Sequence, residues 1–168
     1  MEIACVNQGS VRVKGKNSTF FVNPSGGKKN PSADGADVLL FTGKVKDFID
    51  VRDVLVFDGP GDYEVAGTSI KAEKMGDSTA FDFFDENQSA LVMTAAALPH
   101  VKETDGYTAA IIIADEKIGD LSTLTSEIVA VAGPEEFLPQ DRSNIKKTDK
   151  LNLKKIEEYK GFIVHLAK

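Results

Sequence analysis

Short apolar runs alternate with turn-forming residues along most of this chain, a spacing that predicts many brief β-strands and few helices. After the strand-like opening Ile3–Val6, the runs Ser10–Lys14 and Ser18–Asn23 flank Gly15-Lys16-Asn17, whose glycine and asparagine tolerate positive φ, so a hairpin is expected. Asn23–Gly35 contains two prolines, three glycines and adjacent lysines, and reads as an exposed loop. Asp37–Phe41 is continuously apolar after its first residue, the pattern of a central strand covered on both faces. Lys46–Val51 has room for one helical turn, and Asp53–Phe57 is a strand ending at the turn Asp58-Gly59-Pro60-Gly61.

The second half repeats the theme. Asp62–Val65 and Thr68–Glu73 make a hairpin around Ala66-Gly67, and Thr79–Phe84 and Ser89–Thr94 make another around Asp85–Gln88. Val11–Asn23 and Thr79–Thr94 share a strand–turn–strand layout, which hints at a duplicated sandwich. Tyr107–Ala114 and Glu127–Ala132 are apolar enough for interior strands, and Asp120–Ser126 between them has room for about two helical turns. The charged stretch Asn144–Lys160 reads most simply as a solvated face before a closing strand, Gly161–Leu166. No long amphipathic helix emerges, so the fold class expected is α+β, predominantly β, in one domain spanning 1–168.

Charge and composition narrow the partners. A net charge of −6, with no basic cluster interleaved with aromatics, argues against nucleic-acid binding. No apolar run reaches the roughly 20 residues of a membrane span and no leader-like segment opens the chain, so no membrane association and a cytoplasmic location are expected. The single cysteine, Cys5, sits in an apolar run and reads as a small buried thiol.

Phe57-Asp58-Gly59-Pro60-Gly61-Asp62-Tyr63-Glu64-Val65-Ala66-Gly67-Thr68-Ser69-Ile70 resembles a segment of the compact, zinc-dependent hydrolase branch of the metallo-β-lactamase superfamily. Met1-Glu2-Ile3, Gly9-Ser10, Val13–Lys16 and Asn23-Pro24 are similar to that branch's opening strands, and Asp149–Leu151 with Phe162–Leu166 to its closing segment. The resemblance implies a metallo-β-lactamase-like β-sandwich, a trimmed αββα arrangement with few short helices. It also locates departures. Where metal-binding members place an H-x-H-x-D-H cluster, this chain has Thr42-Gly43-Lys44-Val45-Lys46-Asp47, in which only Asp47 is a metal ligand type. The bridging aspartate falls in Ala95-Ala96-Ala97, the late histidine at Gly133-Pro134, the early Gly-His-Ser reads Gln8-Gly9-Ser10, and the Asp-Pro turn reads Asn23-Pro24.

Other chemistry is thin in the sequence. His100 and His165 are the only imidazoles, read as a solvated loop residue and a packed strand residue. Ser10, Ser69 and Ser89 lack a Gly-x-Ser-x-Gly elbow, and Gly59-Pro60-Gly61 lacks the Lys-Ser/Thr of a phosphate loop, its glycines being expected to free the backbone around Pro60. Asp58, Asp62 and Glu64, like Asp82 and Asp85, read as a solvated acidic rim in preference to a cation site. The sequence therefore leads to no catalytic, cofactor-binding or metal residues, no cofactor, and a catalytically inactive module that meets a protein partner or a second copy of itself. The alternative is a hydrolase of the same superfamily with a relocated or subunit-shared site.

Overall fold

The computed structural model describes residues 1–7, 9–24, 35–43, 54–102, 104, 106–140 and 143–167. Among these, the strands are β1 Glu2–Asn7, β2 Ser10–Lys14, β3 Thr19–Val22, β4 Val38–Leu40, β5 Leu55–Phe57, β6 Gly61–Val65 and β7 Thr68–Met75. The chain continues with β8 Ser78–Asp85, β9 Gln88–Thr94, β10 Ala109–Ile113, β11 Ile128–Ala132, β12 Ile145–Thr148, β13 Lys150–Asn152 and β14 Ile163–Leu166. They form a six-stranded sheet ordered β13-β1-β2-β3-β4-β5 and an eight-stranded sheet ordered β12-β14-β11-β10-β9-β8-β7-β6. The described helices are all short 3-10 segments, at Ala95–His100, Glu135–Phe137 and Leu153–Tyr159.

Alternation along each strand decides which residues fill the space between the sheets. Val11, Val13, Phe20, Val22, Val38 and Leu40 from the first sheet meet Ile70, Phe81, Phe83, Val92, Ile111 and Val164 from the second. Phe20 and Phe83 touch edge to face, with centroids 5.4 Å apart. The non-alternating run Ala109–Ile113 is explained by a second apolar layer on the outer face of the larger sheet, where Leu91, Met93, Ile112 and Val131 are covered by Ile118, Leu124 and Leu138. On the smaller sheet Phe21, Leu39 and Phe41 form a third cluster, so β4 is covered on both faces as its sequence predicts.

Several expectations are corrected. Asp120–Ser126 is not helical: the Asp120 carboxylate accepts from the Ser122 N–H at 2.8 Å and from its hydroxyl at 2.7 Å, a local turn that competes with helix. Asn144–Lys160 is more than a solvated face, because it supplies β12, β13 and a 3-10 segment and buries Leu151 and Leu153. Asp82 and Asp85 are buried, not a rim. Asp85 accepts the Lys16 N–H at 2.9 Å, so it braces the first hairpin turn. The helical turn predicted over 46–51 and most of the predicted loop 23–35 lie outside the described residues.

The turn at Asp58–Gly61 does not need positive φ at Gly61; the glycine is instead required by packing. The Tyr63 ring stacks on Phe57 at 4.0 Å and its hydroxyl donates to the Gly59 carbonyl at 3.0 Å, which folds the ring over Gly61. A Cβ on Gly61 would lie 2.9 Å from the Tyr63 oxygen and 3.0 Å from its Cζ. Gly61→Val is expected to destabilise the protein by roughly 1–3 kcal/mol through this overpacking. Urea unfolding of the variant checks it, and an unchanged midpoint would show that the ring swings aside freely.

Candidate functional site

Topology gathers the carboxyl ends of both sheets at one end of the sandwich. β3, β4 and β5 run parallel in the smaller sheet, as do β9, β10, β11, β14 and β12 in the larger. The Thr79 N–H donates to the Thr42 carbonyl at 2.6 Å, joining the residue after β4 to the start of β8. That start lies beside the end of β9, where the Ser78 and Thr94 hydroxyls are 3.0 Å apart. In open α/β sheets ligands collect outside the carboxyl ends of parallel strands, which makes this end of the sandwich the natural place for a site.

At the positions where the resemblance places metal ligands, the described side chains are neutral. Asn23, at φ 51°, clasps Thr42: its amide donates to Oγ1 at 2.7 Å and its Oδ1 accepts the Thr42 N–H at 2.9 Å. Ala95 and Ala97 are buried while Ala96 is exposed. Gly133 has φ 151°, and a Cβ there would lie 2.8 Å from the Ala114 carbonyl oxygen, so this backbone has no room for any side chain at position 133. Among the described residues no group of three His, Cys, Asp or Glu side chains converges as a metal ion requires, so this donor set does not fit the zinc that the resemblance implies. Gln8, Lys44, Lys46 and Asp47 lie outside the described residues.

A cavity of about 520 Å³ opens at this end, lined by Cys5, Asn7, Gly133, Glu135, Lys147 and His165 among others. His165 is almost wholly buried in β14, and its Nε2 donates to the Gly133 carbonyl at 3.0 Å. A carbonyl only accepts, so this bond puts a proton on Nε2, and whenever the ring is neutral the lone pair is on Nδ1. Cys5 donates to the Asn7 carbonyl at 3.1 Å and packs between the sheets. His165 alternates with the interior residues Val164 and Leu166 and therefore lies on the other face of its own sheet, so cysteine and histidine share a cavity without forming a nucleophile–base pair.

The remaining sequence candidates stand apart from this cavity. His100 is exposed at the end of the 3-10 segment Ala95–His100 and lies over Gly76, 2.5 Å from where a Cβ would be. Asp58, Asp62 and Glu64 are exposed. Asp82, on the outer face of the larger sheet, has its carboxyl pushed up to about 6 by burial, opposed by a hydrogen bond from Tyr107. Tyr107 is held well above its ordinary value by burial and by the Asp82 charge. Sequence reasoning missed the placement of His165 beside Lys147, for which the strand register was the missing information.

No family model and no curated protein matches the chain. Solved structures do. A protein from Thermotoga maritima assigned to the Zn-dependent hydrolases of the metallo-β-lactamase superfamily is similar at 15% identity and a TM-score of 0.66, over 98% of each chain. The metallo-β-lactamase fold protein YhfI from Bacillus subtilis is 9% identical with a TM-score of 0.54, over 99% of this chain and 96% of its own. A diphosphatase of the PhnP family is 12% identical with a TM-score of 0.52, over 96% of this chain and 81% of its own. The expectation that this chain is not an enzyme is corrected by these likenesses: the same fold, over nearly the whole chain, serves hydrolases, and missing imidazoles at the sequence motif are no ground for excluding catalysis. No described helix is long and apolar enough to cross a membrane. The chain has the metallo-β-lactamase fold.

Proposed function

We propose that this protein is a hydrolase whose site occupies the strand-end region of the metallo-β-lactamase fold but has moved away from the motif positions 42–47 and 95–97. The observation that carries the reading is the cavity of about 520 Å³ at the carboxyl ends of β11 and β14, which places an imidazole, a carboxylate, an ammonium group and a thiol around one space. Its size suits a small ligand. The hydrolase and diphosphatase activities of proteins that share the fold support the reaction class. Fold alone does not transfer activity, so the substrate has to be argued from this cavity.

The purified chain is expected to turn over at least one class among small carboxylic esters, thioesters and phosphodiesters. Assays run with added zinc and with chelator separate the metal-assisted route from one carried by the side chains present. Absence of turnover in all three classes, under both conditions, would remove the hydrolase reading.

A further inference from the structure

Register supplies what the sequence does not show. β12 and β14 are parallel neighbours in which Lys147 is paired with His165 and Ile145 with Ile163. Residues paired across adjacent strands project to the same side of a sheet, a few ångströms apart. Ile145 and Ile163 pack on the outer apolar layer, which identifies that side. Lys147 and His165 therefore stand next to each other on one face and line the same cavity. Among the described residues Lys147 has no ion pair and His165 Nδ1 has no hydrogen bond, while Nε2 is held by Gly133. Lys147 is exposed at the cavity, so its ammonium group is available to an anion that enters, and a charge-assisted hydrogen bond to a carboxylate or phosphate is among the stronger kinds.

Resting on the hydrolase reading, we propose that His165 is the general base of this site and that Lys147 holds an anionic group, carboxylate or phosphate, of a small ester substrate. His165 Nδ1 takes a proton from water as the water oxygen bonds to the electrophilic centre of the ester. The bond from that centre to the leaving oxygen then breaks, the oxygen departs with its electron pair, and the imidazolium returns the proton to it. Water is consumed, and an acid and an alcohol are released. The Gly133 carbonyl keeps the base in its reactive tautomer throughout, so Gly133 is a positioning residue.

The chain contains two histidines, so the Cε1–H signals of His100 and His165 in proton NMR spectra are assigned by a single variant, His165→Gln. Titration with acetate and, separately, inorganic phosphate is expected to shift the His165 signal saturably with at least one of them, leave His100 in place, and require at least tenfold more anion in Lys147→Ala. Which anion acts distinguishes the carboxylate from the phosphate substrate. On the ester that the protein hydrolyses, His165→Gln is expected to lower kcat by about 10²-fold or more. Lys147→Ala is expected to raise KM for the charged ester and leave a neutral analogue unaffected. Full turnover in a folded His165→Gln protein, or a His165 signal that neither anion moves, overturns the assignment and leaves the hydrolase reading standing. If no ester is hydrolysed, that reading falls, and the titration still decides whether Lys147 and His165 form an anion site. Should His165→Gln fail to fold, Lys147→Ala carries both the titration and the KM comparison, because Lys147 is exposed.

Discussion

Gly133→Ala is expected to lower stability by about 3 kcal/mol, a fall of roughly 6–12 °C in Tm for a chain of this size. Two penalties coincide at this position. The backbone angle of 151° is one that residues with a Cβ rarely adopt, and the added methyl would sit 2.8 Å from the Ala114 carbonyl oxygen and 2.9 Å from its Cβ. Relief by backbone movement is blocked, because the Ala114 N–H donates to the Ala132 carbonyl at 2.8 Å and β10 is paired in register with β11 through Ala132. Gly67→Ala is the matched control. Gly67 also has positive φ, 87°, but nothing lies within 4 Å of a Cβ there, so only the conformational cost of about 1 kcal/mol applies. Equal losses in the two variants would show that the crowding at Ala114 is unimportant. The same geometry explains the departure seen at this point of the sequence: with this backbone, position 133 cannot present an imidazole.

The strands were legible because their signal is local. The Gly15–Asn17 turn, the Ala66-Gly67 turn and the unbroken apolar run Ala109–Ile113 each announce themselves within a few residues, and each is found where expected. Failures occurred where a local competitor or a distant partner decides. Asp120–Ser126 is long enough for about two helical turns, but the Asp120 carboxylate bonds to Ser122 and sets a local turn instead. Leu151 and Leu153 sit in a charged stretch whose average hides them, and they are buried only because β13 pairs with β1.

The site was less legible than the fold for the same reason. Asn23 and Thr42 could be named as departures from a motif, yet their mutual clasp depends on β3 and β4 being parallel neighbours. His165 reads in sequence as a packed strand residue, and packed it is. What lifts it to a candidate is the lateral partner Lys147, eighteen positions away by the register of two parallel strands, and the carbonyl of the glycine that follows a third strand, β11. No periodicity within either segment encodes that encounter.

Asp82→Asn is expected to stabilise the protein at pH 7.5 by about 1–2 kcal/mol and to have little effect near pH 4. Asp82 lies in β8 opposite Lys71 and is buried on the outer face of the larger sheet. Burial is the largest influence on its carboxyl, raising it from 3.8 to about 6; the Tyr107 hydroxyl donates to it and lowers it, Glu73 raises it, and Lys71 lowers it. Lys71 is engaged in an ion pair with Glu73, so it offsets little of the burial. Because the folded value is raised, the folded state holds a proton between about pH 4 and pH 6 that the unfolded chain has released. Stability therefore falls as pH rises through that window and is lowest above it. A shift of about two units corresponds to roughly 3 kcal/mol, which solvent screening reduces to the figure above. Asparagine keeps an acceptor for Tyr107 while removing the charge that burial opposes, so the variant's stability should be nearly independent of pH where the parent's declines. Urea midpoints measured from pH 4 to pH 8 provide the comparison. If Asp82→Asn is instead less stable at pH 7.5, then the hydrogen bond from Tyr107 to the ionised carboxylate outweighs the cost of burying it.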